Sequence, residues 1–270
     1  MPSVSANNID IFYRDDGAGQ PVLFIQGLGV DHRGWAGVTR PLSQRFRCVS
    51  FDNRDVGRSS KVDAEYDVLD MAADALGLLD ALDIGEADVV GASMGGVIAQ
   101  EIAIWHPERV RKLVLVTTYT SGDPRGSAIF ESQAMLRRTL GREEYCRATF
   151  WSAYSHQDYR RDGFIDEMVR RTAGNDLWQP QEAYERHVRA VTSANTEGRL
   201  GEIVAPTLIL AGAEDILTPM RFSSLLASEI AGSRLEVIEG AGHGMIWSCP
   251  EVVVDHVTQF LTDANPSPSQ

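Results

Sequence analysis

The sequence predicts an α/β fold, a mostly parallel, doubly wound sheet with a helical cap inserted between two of its strands. Three observations carry this prediction. Short apolar runs of buried character recur along the chain, amphipathic segments of helical period separate them, and one long stretch is helix-rich without a buried strand. At 270 residues the chain has room for one such domain with an insertion.

Taken in order, Ile9 to Tyr13 alternates apolar and polar residues after Asn7-Asn8, as the second arm of an opening hairpin would. Val22 to Ile25, Cys48 to Phe51, Asp88 to Val90 and Leu113 to Val116 are continuous runs, the pattern of strands covered on both faces. Thr207 to Leu210 and Leu235 to Ile238 extend the same series. Leu69, Ala72, Ala73, Leu76, Leu79 and Leu82 fall at helical spacing, with Gly85 as the expected stop. A second helix should run through Val97, Ile98, Ile102 and Trp105 to His106-Pro107, and a last one from Pro250 to about Leu261. The tail from Asn265 to Gln270 is expected to fray.

The rhythm breaks between Thr118 and Leu200, where aromatic residues accumulate: Phe130, Tyr145, Phe150, Trp151, Tyr154, Tyr159, Phe164, Trp178 and Tyr184. The expected organisation is core 1–117, cap 118–202 and core 203–270. Most of these aromatics should fill the cap's own interior, while Trp151 and Trp178, with Gln26 and His32 of the core, are assigned to a substrate pocket.

Hydrophobic residues at 43% and charged residues at 23% suit a soluble globule, and no apolar run is long enough to span a bilayer. The N-terminus lacks a basic residue before Arg14 and an apolar segment, so a cytoplasmic protein is expected. A net charge of −13 opposes binding to a phosphate backbone, which argues against nucleic acid. Cys48, Cys146 and Cys249 are too scattered for a disulfide framework or a zinc site and are expected to be inert thiols.

Chemistry concentrates in Val89-Val90-Gly91-Ala92-Ser93-Met94-Gly95-Gly96, where a buried strand runs through G-x-S-x-G into a helix. Such a turn presents Ser93 as a nucleophile, with the Met94 N–H free to stabilise an oxyanion. The plainer alternative is an ordinary N-cap serine. Serine needs a base, and His243, in Glu239-Gly240-Ala241-Gly242-His243-Gly244 after a strand, is the candidate. His106, His156, His187 and His256 read as structural or solvated. The base in turn needs a carboxylate, for which Asp215 in Ala211-Gly212-Ala213-Glu214-Asp215 fits better than Glu214. Asp215 could instead serve only to accept loop N–H groups.

The chain order Ser93, Asp215, His243 is that of the α/β-hydrolase fold, and the sequence resembles that family over nearly its whole length. By the resemblance, Gln26-Gly27-Leu28-Gly29 stands at the family's His-Gly position and Leu28 supplies a second oxyanion N–H. Asp52-Asn53-Arg54-Asp55-Val56-Gly57-Arg58-Ser59 resembles the family loop D-x-R-G-x-G-x-S, with Asp55 in place of glycine. Within the family the chain is similar to cap-bearing esterases and lactonases, notably 3-oxoadipate enol-lactonases, and to polyketide methylesterases. Dehalogenases and epoxide hydrolases of this fold carry aspartate where Ser93 stands, which disfavours their chemistry.

The expected activity is two-step hydrolysis of a carboxylic ester or lactone through an acyl-enzyme, with no metal and no organic cofactor called for. The cap's apolar content favours a neutral ester; a substrate carrying a carboxylate would need a local cation such as Arg33, Arg58, Arg125 or a cap arginine. Two other readings stay open, namely cofactor-free C–C bond hydrolysis or perhydrolysis by the same triad, and a ligand-binding receptor with slow turnover. A homo-oligomer is also left open.

Overall fold

The computed structural model describes residues 2–263, so the expected fraying of the C-terminal tail lies outside the described residues. Asn7 and Asn8 both adopt left-handed backbone, at φ 48° and 62°, and turn β1 (Ser3–Ala6) into the antiparallel β2 (Ile9–Asp16). The remaining strands are β3 (Pro21–Ile25), β4 (Arg47–Phe51), β5 (Ala87–Ala92), β6 (Val110–Val116), β7 (Thr207–Gly212) and β8 (Arg234–Ile238). Together they form one sheet in the order β1-β2-β4-β3-β5-β6-β7-β8, parallel from β4 through β8.

Both faces of this sheet are covered, which is why β3 and β5 read as continuous apolar runs. The helices Val68–Ala81 and Met94–Trp105 pack on one face with Met71, Leu78 and Ile98 fully buried; Ala36–Leu42 and Pro250–Thr262 cover the other with Val38 and Val257. Three sequence expectations need correction. Asp83 at φ 55°, not Gly85, takes the left-handed position after the Val68–Ala81 helix. Leu69 and Trp105, placed on apolar helix faces by their spacing, are exposed at 44% and 60%. β8 lies at the sheet edge and is half-buried rather than covered on both faces, with Val237 40% exposed.

Between β6 and β7, five α-helices are inserted among the described residues: Pro124–Thr139, Arg142–Thr149, His156–Arg160, Phe164–Ala173 and Gln181–Ser193. Entry and exit of the insertion are clasped together by an isolated bridge between Ser121 and Asn195, supported by Thr196 N–H donating to the Thr120 carbonyl at 2.8 Å. The parallel register brings Ile25, Ala92, Val116 and Gly212 to one edge of the sheet, and the insertion sits over that edge. Open α/β sheets bind ligands at this carboxyl edge.

Candidate active site

Ser93 occupies the step from β5 into the Met94–Trp105 helix at φ 54°, ψ −122°, a conformation that costs a non-glycine residue about 1–3 kcal/mol. The surroundings enforce it. Ser93 N–H donates to the Val116 carbonyl at 3.0 Å, and the Thr118 hydroxyl donates to the Ser93 carbonyl at 2.6 Å. The flanking glycines permit it, because a Cβ on Gly91 would stand 2.2 Å from the Gly95 carbonyl oxygen and one on Gly95 2.1 Å from that of Ile25. The N-cap alternative does not describe Ser93, whose side chain makes no capping hydrogen bond.

His243 lies in the loop after β8, and its Nδ1 stands 2.9 Å from Asp215 Oδ2. Asp215, in the loop after β7, is 1% exposed in its side chain and collects donors on both oxygens. Leu217 and Thr218 N–H groups each reach Oδ1 at 2.9 Å, while the Thr218 hydroxyl reaches Oδ2 at 2.6 Å. Asp215 therefore does what both sequence readings asked, holding its own loop with one oxygen and the imidazole with the other. A proton on Nδ1 leaves Nε2 as the basic nitrogen. Glu214 instead accepts the His156 N–H of the insertion at 2.7 Å.

Ser93 and His243 line one cavity of about 430 Å³ beneath the insertion; among the described residues no hydrogen bond joins them. The loop of Gln26, Gly27 and Leu28 packs beside the serine, close enough that a Cβ on Gly27 would be 3.6 Å from Ser93 Oγ. Neither the Leu28 nor the Met94 N–H is used in a backbone hydrogen bond among the described residues. Gln26 is 1% exposed, and its Oε1 accepts the Gly27 N–H at 3.0 Å. Its carbonyl is held by Asn53 Nδ2, also at 3.0 Å. The substituted side chain thus stiffens this loop from within.

Of the residues assigned to substrate, Gln26 and Trp178 line the cavity, but His32 and Trp151 do not. His32 Nδ1 is 2.7 Å from Asp52 Oδ1, and the ring packs on Phe12. The Trp151 ring is on the far side of its own helical turn, where it is 58% exposed and borders a separate hollow. Six of the nine cap aromatics, Phe130, Tyr145, Phe150, Tyr154, Trp178 and Tyr184, line the cavity, more than the expectation of a self-filling cap allowed.

Among the candidate cations, Arg33 borders the cavity but is consumed by Asp31 and Asp176, which raise its pKa, and Arg125 borders the other hollow. Arg137, which the sequence covers only as an unnamed cap arginine, is also in the wall, as is Gln179, which sequence analysis missed because nothing in its spacing sets it apart. Asp31, His32 and Asp52 bring ligand-type atoms within 4.8 Å of one another. Those atoms are engaged by Arg33, Asn175 and the His32 and Arg58 N–H groups, so the cluster satisfies itself.

Comparison with known proteins agrees with this architecture. A family model described as the α/β hydrolase fold matches residues 20–250. A protein of Caulobacter vibrioides provisionally named as the carbamate hydrolase RutD is 30% identical over 244 residues, 90% of each chain. One of Mycobacterium tuberculosis provisionally named as the non-heme bromoperoxidase BpoC is 29% identical over 260 residues, 94% of this chain and 98% of its own. The crystal structure of the enol-lactonase from Burkholderia xenovorans LB400 superposes with a TM-score of 0.87 at 26% identity, covering 97% of this chain and 100% of that one. Est816, described as an N-acyl homoserine lactone degrading enzyme, gives 0.83 at 27% identity over 96% and 100% of the two chains. Matched along most of its length by family and by architecture, the chain belongs to the α/β-hydrolase family and is a hydrolase.

Proposed function

We propose that the protein hydrolyses a carboxylic ester or lactone, with Ser93 as nucleophile, His243 as general base and Asp215 as the group that orients it. The observation that carries this reading is the strained Ser93 at the mouth of a helix, facing a cavity that it shares with a histidine bonded at 2.9 Å to a buried aspartate. In the reaction, His243 Nε2 takes the Ser93 proton as Oγ attacks the acyl carbon. The imidazolium then gives that proton to the leaving alkoxide. Water repeats the sequence on the acyl-enzyme and releases the acid. N–H groups of Leu28 and Met94 carry the negative oxygen in both steps. The serine and imidazole draw together when substrate is bound, as catalytic hydrogen bonds commonly tighten in the Michaelis complex.

Lactone and enol-lactone chemistry in the two structural relatives supports an acyl substrate. An unsubstituted carbamate would leave most of a 430 Å³ cavity unfilled, which favours an ester or lactone of greater bulk. The test is a fluorophosphonate label followed by peptide mapping. Modification should fall on Ser93 and vanish in Ser93→Ala together with p-nitrophenyl acetate hydrolysis; retained turnover in that variant would remove Ser93 from the mechanism.

A further inference from the structure

Arg137, on the Pro124–Thr139 helix of the insertion, is a cation in the cavity wall with no carboxylate within ion-pair reach among the described residues. Its guanidinium is held by aromatic faces, 4.3 Å from the Trp178 ring centre, 4.6 Å from Tyr184 and 5.9 Å from Tyr145. One nitrogen, Nη2, donates to the Gln179 carbonyl, while Nε is buried and has no partner. Beside it, Gln179 is 2% exposed, and both polar atoms of its side-chain amide are buried and unpartnered. Each unpaired buried polar group costs about 1–3 kcal/mol, more for a charged one. The three atoms lie just under the cavity surface, in residues that line it, and none has an internal partner, so a small rotation of either side chain presents an unpaired donor to the cavity.

We propose that Arg137 and the Gln179 amide bind a carboxylate carried by the substrate, several bonds away from its scissile carbonyl. This rests on the reading of Ser93 as nucleophile and adds the substrate class. The cavity's own acids do not compete, since Asp31 and Asp176 are both engaged by Arg33. Arg171 adds a second positive charge to the lining. A planar fork of N–H donors matches a carboxylate, and the Gln179 NH2 supplies a further donor. The protein's net charge of −13 repels anions at long range but is screened beyond about 8 Å, so the local cation governs inside the cavity.

The loop after β3 connects the two ends of the site. Gln179 Oε1 would lie 3.2 Å from a Cβ on Gly29, and a Cβ on Gly27 would lie 3.6 Å from Ser93 Oγ. Ser93 and Gln179 thus border the same short loop, two residues apart along it, and the spacer that joins the two ends of a substrate is what a series of monoesters of increasing length measures. The polar end thereby selects against the neutral ester that the cap's apolar composition suggested.

The test compares the p-nitrophenyl monoesters of succinic, glutaric and adipic acid with their methyl-capped neutral diesters. The wild-type protein should favour at least one anionic member by about tenfold or more in kcat/KM, the worth of one charge-assisted hydrogen bond. In Arg137→Gln that ratio should fall toward one, mainly through KM, and Arg137→Lys should restore part of it. Binding is read separately on Ser93→Ala, where glutarate should raise the melting temperature and should not do so once Arg137→Gln is added. A wild-type ratio near one in every pair overturns the proposal whether or not the variants fold. Unlabelled Ser93 with Arg137-dependent glutarate binding would overturn the nucleophile and leave the carboxylate site standing. Labelled Ser93 with no glutarate response and no anionic preference would do the reverse.

Discussion

Arg186 of the insertion grips Asp55 of the core, with Nε 2.7 Å and Nη2 3.1 Å from its two carboxylate oxygens. The carboxylate is wholly buried and also accepts the Val62 N–H and the Tyr66 hydroxyl, each at 2.9 Å. Burial alone would push its pKa up; the bonds from Arg186, Val62 and Tyr66 outweigh that and hold it below the usual range. The residue that departs from the family loop is therefore one of the anchors by which the core holds its cap.

Asp55→Gly should consequently keep the turn, since Asp55 already stands at φ 67°, yet leave Arg186 and Tyr66 without their partner. A loss of about 3–5 kcal/mol in urea unfolding is expected, the usual effect of orphaning one member of a buried pair. Adding Arg186→Met should recover part of it. A single variant as stable as the parent would show that the pair holds nothing.

How far the sequence disclosed this molecule depends on whether a feature is local. Strand runs such as Val22 to Ile25, and the turn around Ser93, are legible because period and glycine placement act over a few residues. Asp215 was legible because chain order and a strand end narrowed the choice. Arg137 and Gln179 were not, because they stand 42 residues apart, one on a helix and the other in a loop, and meet only in three dimensions. His32 was misassigned for a related reason: Asp52, its partner, is remote in sequence but 2.7 Å away in space. Trp151 failed on a finer point, since helical phase alone decides whether an aromatic in a cap faces the cavity or the solvent.

The glycines about Ser93 make a graded prediction. Gly91→Ala or Gly95→Ala would drive a methyl to within 2.2 or 2.1 Å of a backbone carbonyl oxygen, whereas a Cβ on Gly85 meets nothing within 4 Å. Because backbone cannot yield as a side-chain tip can, the first two should cost at least about 1–3 kcal/mol and displace the serine, while Gly85→Ala stays within about 0.5 kcal/mol. Thermal unfolding together with fluorophosphonate labelling separates the cases. Full labelling of Gly95→Ala would mean that the turn tolerates what its geometry forbids.

Asp215→Asn should lower kcat by about 10³–10⁴ with little loss of fold, because an amide nitrogen facing His243 Nδ1 favours the tautomer that cannot accept the serine proton. Thr218→Val removes the 2.6 Å hydroxyl bond to Asp215 Oδ2 and the 3.3 Å contact of the same hydroxyl with His243 Nδ1 but keeps the carboxylate, and a smaller loss, about tenfold, is expected. Steady-state kinetics on a single ester decide both. Equal losses in the two variants would shift the orienting role from the carboxylate to the threonine.

The last prediction concerns acid stability and His187, fully buried where the Gln181–Ser193 helix of the insertion meets the core. Its Nε2 lies 2.9 Å from the Arg54 carbonyl, its Nδ1 has no partner, and its ring meets Tyr66 edge-on. Burial is the dominant cause that lowers its pKa to about 4 from an ordinary 6.5. Between these values the unfolded chain binds a proton that the folded chain refuses, so stability is complete above about pH 6.5 and declines as the pH falls toward 4. The total is on the order of 3 kcal/mol. Asp88 works in the opposite direction, because burial lifts its carboxyl to about 6 and the folded chain then holds the extra proton as the solution is acidified. Wild-type data alone would mix the two slopes, whereas subtraction of a His187→Gln variant cancels Asp88. The stability advantage of wild type over His187→Gln should shrink by about 3 kcal/mol from pH 7 to pH 4 in urea titrations. Parallel curves across that range would mean that the buried imidazole takes up its proton as readily in the folded protein as in the unfolded chain.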